Sequence, residues 1–447
     1  MNRNNNYRSI PTRSEKRYVQ EMKAGFLTLG CRVNQYETEA LAEELFRIGF
    51  ERGDFGGKCD IYIINTCAVT EESVRKSRQM VRRAIKNNPD AFVGVMGCAS
   101  QLDGGAFAAI PGVSFVCGTR NRAEILRAAV MFFKGGRPET CVLDIVPPEG
   151  ELTKTSAVSF ERARAYVKIE DGCNGRCSYC VIPSLRGGIV KRDEGEILDE
   201  VKVIAANGCH EVVLTGIETA GYGSGLSGLI RKIDAIPGIG RIRMGSLEPS
   251  FMKPEFVDEI AGVRSLCHHF HISVQNGSDR ILALMRRKYN TAVMERNIAY
   301  IREKMPDVNF SADVIVGFPG ETEEDFEKTC RFVKRVGFLH LHIFTYSKRP
   351  GTEAAEMDGQ IPEKVKNERL HRLEAIAAGE KSRILSGMIS SGKPVEILAE
   401  TSSGGCTVGH TGNFVECRIF GEHPAGTIIS GIPFGLADGV VEIRQGT

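Results

Sequence analysis

The chain has no apolar run of the roughly 20 residues that a membrane-spanning helix needs, which argues against a helical membrane protein. It also lacks net charge of either sign: 58 Lys and Arg against 56 Asp and Glu leave a formal +2. No global field marks a nucleic-acid binder, so any basic surface must be local. The opening stretch MNRNNNYRSIPTRSEKRYVQEMK has no apolar core and is not a secretory signal. It reads as a basic, flexible arm, and a cytoplasmic location is the expectation. The Lys-Ser/Thr ending of a phosphate loop is absent too: GFPGE at 317–321 reads as a tight strand-end turn. What the chain does have is cysteine, 14 in all. In a reducing compartment these suit metal ligands, catalytic groups or buried apolar residues better than disulfides.

At 447 residues, 42% apolar and 26% charged, the chain suggests several globular domains. Residues 1–23 form the arm. Over 24–135, apolar runs alternate with amphipathic stretches, which predicts an α/β domain on a parallel sheet. A Gly- and Pro-rich linker is expected over 136–158. A second βα series over 159–383 holds six strand-like segments, RAYVKIE, EVVLTGIE, RIRMGSLEP, HFHISVQ, NFSADVIVGFP and LHLHIFTYS. Six strands are too few for a closed eight-stranded barrel and predict a partial, TIM-like (βα)6 barrel with its chemistry at the C-terminal strand ends. Residues 384–447 are Gly-rich with short apolar runs and predict a small all-β barrel, OB-like in kind.

The sharpest motif is KIEDGCNGRCSYC. Cys173, Cys177 and Cys180 are spaced by four and three residues in a glycine-containing loop after the first strand of the second series. Structural zinc and iron–sulfur sites normally have four protein ligands. Three thiolates on a four-iron cluster leave one iron open for a small molecule. Spacing alone leaves room for a zinc site with a distant ligand, or for three buried thiols.

A second set is scattered. Cys31, Cys67 and Cys98 each stand directly after an apolar strand of the first series: GFLTLGC, CDIYIINTC and AFVGVMGC. Ligands in open α/β sheets bind outside the carboxyl ends of the strands, so one sheet edge would gather three thiolates. Chance burial of cysteines is the alternative. Cys117 also ends a short strand and ranks below the other three.

CNGRCSYC resembles the C-x-x-x-C-x-x-C signature of radical S-adenosylmethionine enzymes. TLGCRVNQYETEA, INTCAVT, GCASQ, LTGIETAGYG, SLEPSFM, HISVQNGSDRILALMRRKY and YSKRPGTEAAEM resemble the methylthiotransferase family within them. The likeness runs from about residue 25 to the C-terminal module, which resembles a TRAM barrel. It implies two 4Fe–4S clusters, one on Cys173, Cys177 and Cys180 and one on Cys31, Cys67 and Cys98. It also implies that S-adenosylmethionine chelates the open iron of the first and is cleaved to a 5′-deoxyadenosyl radical. The residues around Cys31 resemble the branch that acts on threonylcarbamoyladenosine in tRNA. That branch inserts a methylthio group at carbon 2 of the adenosine beside the anticodon, using two S-adenosylmethionine molecules. The alternatives are isopentenyladenosine in tRNA, a ribosomal-protein residue, or a non-catalytic cluster protein that binds RNA. An electron donor such as a flavodoxin or ferredoxin is implied, and no membrane partner. The chain departs from the family at Lys191, Glu218 and Asn276, where Ser, His and Ser are usual.

Cofactor-facing positions are expected at Tyr179, beside the last cysteine, at the strand ends Gly216 and Gln275, and at Asp313. RNA contacts are expected at Arg75, Arg78 and Arg82 on a basic helix after Cys67. In the last module they are expected at Lys393 and Arg418, with His410 and Asn413 beside them. From residue 386 on, three basic residues face six acidic ones, so that module can grip phosphate only through a local patch or else mainly buttresses the barrel. His269 and His271 share a strand face and read as structural.

Overall fold

The computed structural model describes residues 22–136 and 163–445. Most of the expected arm and linker therefore lies outside the described residues. The chain divides into two compact units, and one short segment, 181–187, belongs to the first unit although it lies within the second in sequence.

The first unit is an α/β domain. Its elements are β1 (Lys23–Thr28), α1 (Arg32–Ile48), β2 (Glu51–Arg52), β3 (Ile61–Thr66), α2 (Glu71–Asn87), β4 (Phe92–Gly97), α3 (Cys98–Leu102), α4 (Gly104–Ala108), β5 (Phe115–Val116), α5 (Ala123–Phe133) and the inserted α6 (Ile182–Arg186). The strands form one parallel sheet in the order β2-β1-β3-β4-β5. Strands β3 and β4 are buried along their whole length, as expected for a parallel sheet covered on both faces. Ile61 and Ile63 point into a core with Leu41, Leu45 and Ile125; Tyr62 and Ile64 point the other way, toward Val81, Ala84 and Leu185. The two-residue period of the strand thus feeds two cores. Helix α2 starts where Thr70 accepts the Ser73 N–H at 3.1 Å. Helix α1 ends at Gly49, whose φ of +119° closes the last turn.

The second unit contains the partial barrel. It comprises β6 (Arg164–Lys168), β7 (Glu170–Asp171), β8 (Val190–Lys191), α7 (Glu194–Ala206), β9 (Glu211–Thr215), α8 (Leu226–Asp234), β10 (Arg241–Met244), β11 (Ser246–Leu247), α9 (Pro254–Ile260), β12 (His269–Gln275), α10 (Asp279–Leu284), α11 (Thr291–Lys304), β13 (Asn309–Val316), α12 (Glu323–Val336) and β14 (His340–Thr345). All six expected strands are present and parallel, in chain order. Strands β10 and β11 are two halves of one strand broken at Gly245: the first half pairs with β9 and the second with β12. Their helix-facing sides pack Val167, Leu214, Met244, Ile272 and Val314 into one core with Ile197, Leu229, Ile298 and Phe326 of the surrounding helices.

Then follow α13 (Glu353–Glu356), α14 (Glu363–Ser391), β15 (Val395–Ser403), β16 (Cys406–Thr411), β17 (Glu416–Phe420), β18 (Ile428–Ala437) and β19 (Val440–Gln445). The last five strands close into the expected small barrel, in the order β15-β16-β17-β19-β18. Helix α14 runs unbroken past residue 383, where a boundary was expected, because it serves both cores: Leu373 packs into the partial barrel and Leu385 into the β module.

Candidate active site

In the second unit a cavity of about 550 Å³ opens at the C-terminal strand ends. Its walls come from the loop after β7 (Cys173, Cys177), the turn after β9 (Glu218), the turn after β11 (Glu248) and the segment after α10 (Arg287). The cysteine loop is held from several sides. Ser178 donates its N–H to Met285 O at 3.2 Å and its hydroxyl to Leu284 O at 2.8 Å, while its own carbonyl accepts from Ala354 N–H at 2.8 Å. Two donors already point at the sulfurs: Gly175 N–H reaches Cys173 Sγ at 3.2 Å, and Arg287 Nη1 reaches Cys177 Sγ at 3.0 Å. A Cβ on Gly175 would sit 3.0 Å from Cys173 Sγ and 3.8 Å from Cys177 Sγ, so this glycine lets the backbone pass close to both.

Charge around the cavity is unusual. Glu170 is fully buried and accepts the Glu218 N–H at 2.8 Å. Burial pushes Glu170 up to about 8 despite that bond. Burial, reinforced by Glu248, pushes Glu218 up to about 7, with Arg287 acting against it. Burial works against the Arg287 cation, yet Tyr289, Tyr179 and Cys177 around it raise its proton affinity on balance. Three buried polar atoms here have no hydrogen-bond partner: Glu170 Oε2, Glu218 Oε1 and Arg287 Nη2. Buried polar atoms are rarely left so, and an unsatisfied acceptor and donor at one cavity fit a zwitterionic ligand.

None of the four expected cofactor positions lines this cavity. Tyr179 packs edge-on to Phe318 behind the cysteine loop. Gly216 lies under Glu170, and Gln275 ends β12 with a φ of +66°. Asp313 sits within β13 and pairs with His271 at 3.1 Å. Glu218, read only as a departure from the family, is a cavity wall, and so is Arg287, which the sequence offered only within the family-like stretch HISVQNGSDRILALMRRKY. Glu170 and Glu248 gave no signal of their own, because nothing local marks a carboxylate that becomes buried. Of the other departures, Asn276 is structural. It is buried with its amide bonded to Glu321 and Ile315 and its carbonyl accepting from Ser278 and Thr329. Lys191 stays exposed, with Nζ 5.7 Å from the Tyr222 ring centroid.

In the first unit, Cys31 caps α1, Cys67 follows β3, and Cys98 opens α3 directly after β4. Thr66 and Gly97 are register partners, so Cys67 and Cys98 each stand one residue past paired positions. A Cβ on Gly30, beside Cys31, would lie 3.1 Å from Cys67 Sγ. Glycine is required there both by that approach and by a φ of +102°. Burial pushes the Cys98 thiol up to about 12, partly offset by the Arg186 cation; Cys67 is raised by burial as well. Such thiols stay protonated alone and would lose their protons to a metal. Cys117 lies in the core on the other sheet face, with Phe92 and Met96. Among the described residues no three His, Cys, Asp or Glu side chains are grouped as ligands of one metal ion. A four-iron cubane spreads its thiolates over separate irons, and both cysteine sets offer that donor chemistry: partly open sulfurs in one, and strand-end sulfurs beside a buried cation in the other.

The basic helix α2 exposes Arg75 and Arg82, with Arg78 half-buried. Arg75 pairs with Glu72, and Arg78 approaches Asp103 at 3.5 Å. In the β module Lys393 is exposed and Arg418 half-buried. His410 and Asn413, expected beside them, both have partners within this unit. His410 pairs with Glu400 at 2.7 Å, and Asn413 donates to Asp307 O at 2.9 Å.

Residues 167–333 match the model of the radical SAM superfamily, and residues 23–118 match a family described as uncharacterised protein family UPF0004. The chain is 38% identical over 400 residues to a threonylcarbamoyladenosine tRNA methylthiotransferase MtaB of Bacillus subtilis, covering 88% of this chain and 89% of that one. It is 35% identical to a tRNA-2-methylthio-N(6)-dimethylallyladenosine synthase of Carboxydothermus hydrogenoformans, covering 84% and 88%. Among solved structures, the radical S-adenosylmethionine methyltransferase TsrM of Kitasatospora setae shares the fold at a TM-score of 0.56 and 17% identity, covering 75% and 77%. With a three-cysteine loop at the mouth of a partial barrel and likeness to such enzymes over most of its length, the chain belongs to the radical SAM tRNA methylthiotransferase family.

Proposed function

We propose that this enzyme inserts a methylthio group at carbon 2 of N6-threonylcarbamoyladenosine beside the tRNA anticodon, using two 4Fe–4S clusters and two molecules of S-adenosylmethionine. The observation that carries the substrate is the 38% identity to the Bacillus subtilis protein named for that nucleoside, over nearly the whole chain. The observation that supports a second cluster is the strand-end placement of Cys31, Cys67 and Cys98 on adjacent strands of one sheet.

Cys173, Cys177 and Cys180 would hold the cluster that binds the cofactor. Bound there, cluster and cofactor supply the one-electron chemistry needed to remove hydrogen from a carbon that has no acidic proton. The protein's part is binding and orientation. Glu218, with an unsatisfied oxygen, suits the cofactor's ammonium, and Arg287, with an unsatisfied N–H, suits its carboxylate. The fully buried Glu170 holds the turn that carries Glu218 through the Glu218 N–H. Cys31, Cys67 and Cys98 would hold the sulfur-supplying cluster. Exposed cations on α2, with Lys393 and Arg418, would contact tRNA phosphates. A small electron carrier such as a flavodoxin or ferredoxin would reduce the first cluster, in a compartment that keeps thiols reduced.

The anaerobically reconstituted chain should carry about eight irons and absorb broadly near 400 nm, as two cubanes require. Replacing Cys177 by Ala should abolish cofactor cleavage. Replacing Cys67 by Ala should spare cleavage and stop sulfur insertion; methylthiolation that survived it would defeat the two-cluster reading. Nucleoside analysis of tRNA from a deletion strain tests the substrate. Persistence there of methylthio-threonylcarbamoyladenosine, with no second enzyme making it, would be fatal to the assignment.

A further inference from the structure

Arg186 ends α6 and is fully buried. Its Nε–H donates to Cys98 Sγ at 3.3 Å, Nη1 to Glu37 Oε1 at 2.9 Å, and Nη2 to Asn34 Oδ1 at 2.6 Å and Glu37 Oε2 at 3.2 Å. The Cys31 thiol lies 3.7 Å from the same Asn34 oxygen and donates to it. One guanidinium plane therefore reaches one cysteine of the N-terminal set directly and a second through Asn34. The helix that carries it is itself pinned: Thr119 Oγ1 donates to Leu185 O at 2.7 Å, and Arg120 Nε to Arg186 O at 3.1 Å. In sequence Arg186 stands six residues after Cys180, so the segment leaving one cysteine set supplies a group to the other.

We propose that Arg186 is a positioning residue for the cluster on Cys31, Cys67 and Cys98, giving a hydrogen bond to the Cys98 thiolate and a countercharge that raises the cluster's reduction potential. This rests on the second-cluster reading above. The charges argue for it. Arg186 and Arg122 both contact Glu37, Arg122 Nη1 at 3.1 Å. Arg186 thus brings a fixed positive charge to the Cys98 sulfur inside a fully buried site. A four-iron cluster with a 2+ core on three thiolates carries one net negative charge, which the neighbouring guanidinium would stabilise. Hydrogen bonds to cluster sulfurs and nearby positive charge favour the reduced, more negative state. Arginine suits the task because its fork stays charged and can serve sulfur, amide and carboxylate at once.

The test uses the full-length chain with Cys173, Cys177 and Cys180 all replaced by Ala, so that only the N-terminal set can hold iron. After anaerobic reconstitution this parent should carry about four irons. Its midpoint potential is then read by a redox titration followed by electron paramagnetic resonance. Arg186→Met should keep its iron but lower the potential. At the parent's midpoint its reduced-to-oxidised ratio should fall at least tenfold, which is 59 mV for one electron. Glu37→Gln should move the potential the opposite way, since it leaves the cation less compensated. Unchanged midpoints, or shifts of the same sign in both variants, would mean that Arg186 only packs the helix, and the proposal would be wrong. If Arg186→Met fails to fold, Glu37→Gln decides alone, and the absence of an upward shift overturns the idea. A parent without iron would sink the second-cluster reading and this proposal together, whereas unshifted potentials in iron-loaded chains would sink this proposal only.

Discussion

Gly216 shows how a single residue is fixed by its neighbours. A Cβ there would lie 1.8 Å from Glu170 Oε1, so the glycine is needed because a buried carboxylate crosses over it. The sequence offered Gly216 as a cofactor-facing strand end and was silent on Glu170, because burial of a charged residue is decided by segments far away in the chain. Replacing Gly216 by Ala should cost about 1–3 kcal/mol of stability as Glu170 is forced aside, read as a lower urea midpoint. Glu170 itself should make stability pH-dependent. Its folded value of about 8 lies above the ordinary carboxyl value of 4.5, so between those limits the folded state holds a proton that the unfolded state has lost. Stability of the metal-free chain should therefore fall as pH rises from about 4.5 to 8. Glu170→Gln should remove that part of the fall, and identical pH profiles from urea titrations would contradict it. At Arg287, replacement by Met should weaken S-adenosylmethionine binding at least tenfold by equilibrium dialysis, since it removes a charge-assisted donor.

Among the elements, α2 was the easiest to read. Its basic residues, its Thr70 cap and its apolar Val81 and Ala84 all follow from helical spacing. Which of its arginines are open to RNA was not readable, because pairing depends on the neighbours that folding provides. Arg75 is tied to Glu72, while Arg82 is exposed. Arg82→Glu should therefore weaken tRNA binding more than Arg75→Glu. It should also reduce the slope of log K against log salt by about one for each phosphate no longer gripped, measured by filter binding across salt concentrations. Helix α6 is the opposite case. Its five residues follow directly on the cysteine loop and read as part of the second series, yet they pack into the first unit, where Leu185 joins the core beneath β3.

At the scale of the whole molecule, the second unit holds its β module to the partial barrel through Phe414. This ring stacks on His269 at 4.5 Å and on His410 at 4.7 Å between centroids, with the Arg243 guanidinium 4.8 Å from it. Arg241 and Arg243 add hydrogen bonds to carbonyls of Glu396, His410, Thr411 and Gly412. Phe414→Ala should cost about 3–5 kcal/mol and speed hydrogen exchange in β15–β19, while a module that exchanged as slowly as before would show the docking to be carried elsewhere. The sequence by itself determined the six barrel strands, the small all-β character of the last module and the local CNGRCSYC spacing, because each depends on spacing within a few residues or on one apolar period. Only the tertiary structure decided that Cys67 and Cys98 follow register partners, that Arg186 crosses into the first unit to reach Cys98, and that Glu170, Glu218 and Arg287 end up buried with unsatisfied atoms. Those facts join residues tens to more than a hundred positions apart, and such pairings are chosen by how sheets and helices pack together, which no local pattern encodes.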